Sequence, residues 1–197
     1  MTIRVGTRPS ALALTQATMV SERLAELSGE DVELVRVTTE GDVRSEPLTT
    51  IGGQGVFIAA VRQAVLDGRC DVAVHSMKDL PSEEHPELVF GAIPAREAPM
   101  DVLCARDGHT IAKIPVGARV GTGSPRRAAQ LLLARPDLDV VEIRGNVPTR
   151  LRRITDDLDA VVLARAGLAR LGLLDAITEE LTLVPAAGQG ALAVECR

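Results

Sequence analysis

Short apolar, β-branched runs alternate with helix-period segments along this chain, and that alternation narrows the possible folds more than any other feature of the sequence. Ile3 to Gly6 reads as a strand. Pro9 to Leu27 reads as a long amphipathic helix, with Thr7 or Ser10 as its cap and Gly29 after its end. Val32 to Thr38 is the next strand. TTEGDVRSEPLTTIGGQG follows, a polar, Gly-rich loop whose GGQG suits a hinge for a closing lid. A helix from Val56 to Asp67 stops at Gly68, and Asp71 to His75 is a third strand. A β-α-β-α-β order predicts a parallel sheet with right-handed crossovers.

After the strand-like LVFGAIPA the order restarts. Strands are expected at Val102 to Ala105, Ala118 to Gly121, Val140 to Ile143 and Ala160 to Leu163, with helices at Ser124 to Ala134, Val147 to Asp156 and Gly167 to Gly172. A last strand, Leu192 to Cys196, is placed to return to the first unit. The fold class is therefore α/β, in two α/β lobes with a cleft between them: residues 1–95 plus 190–197 as domain 1, and 96–189 as domain 2. Only Phe57 and Phe90 are aromatic, so the core must be aliphatic, and the stacking platforms of single-strand nucleic-acid binders are missing. The net charge of -5 argues against a general polyanion-binding surface but leaves room for a local basic pocket. Cys70, Cys104 and Cys196 have neither disulfide-framework nor zinc spacing. No export signal or membrane span is apparent, and a cytoplasmic monomer with no metal, nucleic-acid or membrane partner is expected.

In open parallel sheets ligands bind beyond the carboxyl ends of the strands, and the chemistry-bearing residues cluster there. Thr7, Arg8 and Ser10 follow the first strand; His75, Ser76, Lys78 and Asp79 follow the third. In GTGSPRR, Ser124 suits an N-cap and Pro125 the first helical position, but Arg126 and Arg127 then bring two cations to the positive end of a helix dipole. Each is unfavourable there by roughly 0.3 to 1 kcal/mol. A bound carboxylate or phosphate would compensate them; pairing with the chain's own acids is the alternative. EIRGNVPTR repeats the arrangement, with Arg144 at a strand end, Asn146 as cap and Arg150 in the helix. Asp79 is the acid such a basic site needs, able to stabilise a developing cation or move a proton. His75 is expected to be a packing residue.

TRPSALALTQA, TEGDV, GGQGVF, DVAVHSMKDLP, VGTGSPRRAAQL, EIRGNVPTRL, LARAGLARLGL and PAAGQGALAVECR, in this order, closely resemble the hydroxymethylbilane synthase (porphobilinogen deaminase) family over Arg4 to Arg197. The resemblance implies two lobes like those of type II periplasmic binding proteins. It also implies a transferase of tetrapyrrole (heme) biosynthesis that deaminates porphobilinogen and joins the pyrroles into hydroxymethylbilane. It makes Asp79 the catalytic carboxylate. Lys78, Ser76, Ser10, Asp42, Thr122, Ser124, Arg126, Arg127, Arg144 and Gly145 match cofactor-contacting positions, and Arg8, Arg144, Arg150, Gln16 and Phe57 match substrate-contacting ones. Many members carry Lys where Gln54 stands. The family's dipyrromethane cofactor hangs from a cysteine of a third, C-terminal domain, and none of the three cysteines here has that Gly-Gly-Cys context. The expectation is a two-domain fragment, inactive or partly active, without covalent cofactor. A non-catalytic module that binds small polycarboxylates is the other class the sequence allows.

Overall fold

The computed structural model describes residues 1–38 and 56–197, excluding the side chains of 56 and 57. Asp42, Gln54 and the expected lid therefore lie outside the described residues, as does the side chain of Phe57. The chain divides into two compact units, Met1–Glu97 with Gly190–Arg197, and Ala98–Gln189.

The first unit holds strands β1 (Thr2–Thr7), β2 (Asp31–Arg36), β3 (Val72–Ser76), β4 (Val89–Ala92) and β10 (Leu192–Cys196), in the order β2-β1-β3-β10-β4. β1 pairs in parallel with β2 and β3, as the β-α-β order requires. β10 enters antiparallel between β3 and β4. Helix α1 (Ala11–Ser28) covers one face: Ala17, Val20 and Leu24 pack on Val5, Val74, Leu192 and Val194. Helix α2 (Val56–Leu66) covers the other, with Val61, Ala64 and Val65 against Ala73. Ser10 caps α1 by accepting from the amide of Ala13, so the helix begins two residues after Pro9, and Gly29 ends it at φ 70°.

The second unit holds β5 (Asp101–Ala105), β6 (Arg119–Thr122), β7 (Asp139–Glu142), β8 (Ala160–Ala164) and β9 (Glu179–Leu181), in the order β7-β6-β8-β5-β9. β6 is parallel to β7 and β8, while β5 is antiparallel to β8 and β9. This order reproduces that of the first unit strand for strand, with β5 in the place of β10. Helices α3 (Pro125–Ala134), α4 (Val147–Asp156) and α5 (Arg165–Arg170) complete it. Leu131 of α3 belongs to the aliphatic cluster on one face; Val147, Leu151 and Ile154 of α4 belong to that on the other. α5 starts directly after β8, two residues earlier than the sequence suggests, because Ala164 precedes it without any side-chain cap to mark the boundary. Among the described residues no helix is long and apolar enough to cross a membrane.

Candidate active site

In the first unit, the chain leaves β3 through a single 3-10 turn, Met77–Asp79. The turn is fixed at both ends. The amide of Met77 donates to the Ala191 carbonyl at 3.0 Å, and Leu80 is buried with Ile58 and Ala193. Asp79, Ser76, His75, Val74 and Ile58 line a small cavity of about 70 Å³ together with Arg8, Ser10, Leu12, Ala13 and Gln16. Gln16 is buried on α1 and exchanges hydrogen bonds with Ser76, its Nε2 donating at 3.0 Å and its Oε1 accepting at 3.1 Å. That pair ties α1 to the end of β3. The sequence-predicted Arg8, Ser10, Gln16, Ser76 and Asp79 thus meet at one cavity. Lys78 is partly buried in the same turn but is not among the cavity's walls.

Behind that wall lies a group of charges. His75 is 6% exposed, Glu195 3% and Arg62 9%. Arg62 donates from Nε and Nη2 to the two carboxylate oxygens of Glu195, at 2.9 and 2.7 Å. His75 Nε2 stands 3.2 Å from Oε2 of Glu195 without a well-aligned hydrogen bond. Burial pushes the Glu195 carboxyl up, but its contacts with His75 and Arg62 outweigh burial and bring it down to about 2. Neither Arg62 nor Glu195 was singled out from the sequence. The signal was nonetheless present: Arg62 takes the i+4 place in the buried stripe Ile58, Val61, Val65, and Glu195 lies in an otherwise apolar strand.

In the second unit, β6 and β7 each run into a capped helix. Ser124 accepts from the amide of Arg127 and, at the next junction, Asn146 Oδ1 accepts from the amide of Thr149 at 2.9 Å. Thr122 is buried, and its Oγ1 accepts from the Ser124 amide at 3.2 Å. The junctions touch: a Cβ added at Gly123 would lie 2.6 Å from the Ile143 carbonyl and 3.7 Å from Arg150 Nη2. Gly145, at φ 102°, makes the turn into α4, and its carbonyl accepts from Arg150 Nε at 2.7 Å. Arg144 is partly buried, and its Nη1 is a buried donor with no partner among the described residues.

At the SPRR junction the sequence leaves open whether a bound anion or an acid of the chain compensates the two arginines. The charge that compensates Arg126 and Arg127 belongs to the chain itself. Asp101, 0% exposed, accepts from Arg127 Nε at 3.0 Å and Nη2 at 2.7 Å, from Arg126 Nη2 at 2.7 Å and from Gln189 Nε2 at 2.8 Å. Burial raises the Asp101 carboxyl; Arg127 first, then Arg126 and Gln189, more than offset this and hold it below the usual carboxylate range. Arg127 also donates to the Val162 carbonyl at 3.2 Å and is only 6% exposed. Its guanidinium is taken up inside the unit, which leaves it a poor direct ligand contact. Arg126 also donates to the Val184 carbonyl and remains partly exposed.

The comparisons with known proteins agree on kinship. The family described as "Porphobilinogen deaminase, dipyromethane cofactor binding domain" matches residues 3–197. Proteins named porphobilinogen deaminase are 57% identical in Leifsonia xyli subsp. xyli and 54% identical in both Micrococcus luteus and Cutibacterium acnes. Each comparison covers 99% of this chain but only 60%, 57% and 62% of those proteins, respectively. Solved structures share the fold at low identity. A periplasmic substrate-binding protein of an ABC transporter from Coxiella burnetii aligns with a TM-score of 0.59 at 15% identity, over 99% of this chain and 84% of its own. An ancestral cationic amino acid solute-binding protein aligns with a TM-score of 0.62 at 18% identity, over 100% of this chain and 82% of its own. The fold is thus of the periplasmic-binding-protein kind, and the match along nearly the entire sequence makes this chain a member of the porphobilinogen deaminase family.

Proposed function

We propose that this chain forms the pyrrole-binding part of a porphobilinogen deaminase, a transferase that releases ammonia from porphobilinogen and joins the resulting units into the linear tetrapyrrole hydroxymethylbilane. The observation that carries the reading is Arg144. Its buried Nη1 lacks a partner among the described residues, at a junction where Arg150 lies against Gly123 beside the capped start of α3. A buried guanidinium nitrogen calls for an acceptor, and the acetate and propionate groups of a pyrrole are acceptors of the right charge and shape. Thr122, Ser124, Gly145 and Arg126 border the same junctions as supporting contacts. In the first unit Asp79 is the catalytic carboxylate, with Arg8, Ser10, Gln16, Ser76 and Lys78 around it. When a pyrrole becomes cationic on losing its amine, a fixed carboxylate lowers the cost of that charge. A purely binding role is disfavoured by the family match.

The donor set suits a dipyrromethane, whose carboxylates Arg144, Arg150 and Arg126 would hold; when bound, that group supplies the pyrrole from which the chain grows. The cysteines fit an anchoring role poorly. Cys70 and Cys104 are fully buried, and burial pushes the Cys104 thiol up to about 12. Cys196 packs beside Gly91 at a sheet pairing, where a Cβ on the glycine would come within 3.1 Å of its sulfur. We assign the activity to a cytoplasmic monomer acting on a small molecule, with no nucleic-acid or membrane partner.

Calorimetric titration with porphobilinogen tests the reading. Arg144→Leu is expected to weaken binding by about tenfold or more, the scale of one charge-assisted hydrogen bond, with a gap that narrows as salt rises. Asp79→Asn is expected to bind within a few fold of the parent and, placed in a full-length protein of the family, to lose about 100-fold or more in ammonia release. Unchanged titrations for Arg144→Leu, or normal turnover for Asp79→Asn, overturn these assignments.

A further inference from the structure

Two arginines at the start of α3 share one carboxylate, and they share it unequally. Asp101 Oδ1 takes three donors: Arg127 Nε at 3.0 Å, Arg127 Nη2 at 2.7 Å and Gln189 Nε2 at 2.8 Å. Oδ2 takes Arg126 Nη2 at 2.7 Å. The Arg127 side chain is 7% exposed, whereas that of Arg126 is 28% exposed. The second contact of Arg126, the Val184 carbonyl, also accepts from Gln130 Nε2 at 3.2 Å, and Gln130 Oε1 accepts from the Val184 amide at 2.8 Å. If Arg126 swung away, Asp101 would keep three hydrogen bonds and the Arg127 counter-charge, and Val184 would keep Gln130. Arg127 has no such freedom, because it supplies two of the four bonds to a carboxylate that is 0% exposed. Two guanidinium charges against one carboxylate leave a surplus positive charge in the first turn of α3, where the helix dipole adds to it. The surplus sits on the arginine that reaches the surface.

We propose that Asp101 is a positioning residue that acts through Arg126: it holds that guanidinium before a ligand binds, and a carboxylate of the bound pyrrole then takes the guanidinium over, while Arg127 and Gln189 keep Asp101 in place. The proposal rests on the pyrrole-binding reading above, and it gives the second unit two kinds of arm. Arg144 carries a buried donor that lacks an acceptor among the described residues, whereas Arg126 must be won from one. Affinity at the SPRR junction is therefore a difference, in which the ligand gains a charge-assisted hydrogen bond and Asp101 loses one. A poorly placed anion does not offset that loss, so Asp101 also raises the selectivity of the junction.

A double-mutant cycle read by calorimetric titration with porphobilinogen tests the coupling. Asp101→Asn keeps the size of the side chain and an acceptor oxygen for Arg127 but removes the charge that holds Arg126. It is expected to tighten binding about five- to tenfold in the parent background, the scale of one hydrogen bond to a charged group. In the Arg126→Gln background the same substitution is expected to change affinity by less than about twofold. Weaker binding on Asp101→Asn makes Asp101 a scaffold only, and an equal gain in both backgrounds makes it a general field; either result overturns the proposal. Should Asp101→Asn unfold the unit, the parent chain gives an independent reading. Its arginine Nε–Hε NMR signals, assigned from the backbone, are followed as porphobilinogen saturates the chain. The Arg126 signal is expected to move while that of Arg127 holds its position; an unmoved Arg126 signal, or Arg127 moving with it, sinks the exchange. If porphobilinogen fails to bind the parent chain, the pyrrole-binding reading falls and this role with it. Binding that Arg144→Leu weakens, with no coupling between Asp101 and Arg126, sinks this role alone.

Discussion

Single charged residues decide both halves of this molecule, and they do so from buried positions. Two adjacent arginines at a helix start suggest a bound anion in sequence, but Asp101 stands in the anion's place, at the head of β5 and 25 residues away from Arg126 in sequence. Nothing local in GTGSPRR reveals that carboxylate, since the partner depends on which strand lies beside β8. Arg144, by contrast, has a buried Nη1 that meets no acceptor among the described residues. Glu195 gives a residue-scale prediction. Its carboxyl lies at about 2 in the folded chain against an ordinary 4.5, so the folded state binds fewer protons than the unfolded state between those values. The stabilisation is complete above about pH 4.5 and disappears as pH falls toward 2. It amounts to about 3 kcal/mol at neutral pH, one pKa unit being worth about 1.4 kcal/mol. Urea unfolding of the parent should therefore lose stability steeply from pH 5 downward, and Glu195→Gln should flatten that slope while lowering stability at pH 7. Parallel slopes in the two proteins would place the acid sensitivity elsewhere.

At the scale of elements, the helix starts were the most legible part of the sequence. Ser124 and Asn146 each cap the helix their position predicts, and of the two candidates for α1, Thr7 and Ser10, it is Ser10 that caps, because a short side-chain acceptor directly ahead of an apolar-periodic run has one effective use. The strands β1, β3, β5 and β8 could be read from their β-branched runs. β9 was missed: three residues, Glu-Glu-Leu, carry no period, and only its pairing with β5 makes it a strand. The insertion of β10 antiparallel between β3 and β4 was equally beyond reach in detail, since hydrophobicity identifies a strand without naming its neighbours. The contact between the two arginine-bearing junctions is an element-scale property as well, and it depends on Gly123. A methyl group there would meet the Ile143 carbonyl at 2.6 Å, a backbone atom that moves only with β7. Gly123→Ala should cost about 1–3 kcal/mol in urea unfolding, the usual range for overpacking, and should weaken porphobilinogen binding by displacing Arg150. A variant of parental stability and affinity would show that the junctions separate freely.

Over the whole molecule, one strand order is used twice, β2-β1-β3-β10-β4 and β7-β6-β8-β5-β9, although no sequence repeat joins the halves. The repeated element order in the sequence anticipates this, because each half must bury a sheet on both faces with aliphatic side chains alone. The halves differ in how their fourth strand arrives. β5 opens the second unit, whereas β10 reaches the first only after the chain has completed the second, bringing Gly190–Arg197 back to Met1–Glu97. The first unit is therefore unfinished until its last eight residues are in place, while the second contains all of its own strands. Without β10, β4 loses its hydrogen-bonded neighbour, β3 becomes an edge, and Arg62 and His75 lose the carboxylate between them. Breaking a buried ion pair by removing one partner costs about 3–5 kcal/mol, and the lost apolar burial of Leu192, Ala193 and Val194 adds to that. A chain ending at Gln189 should thus keep hydrogen-exchange protection in β5, β6 and β8 and lose it in β1 and β3, with no porphobilinogen-dependent change at Ser76 or Asp79. Retained protection across both sheets would mean that three parallel strands and two helices suffice for the first unit, and that the returning strand serves the cavity alone.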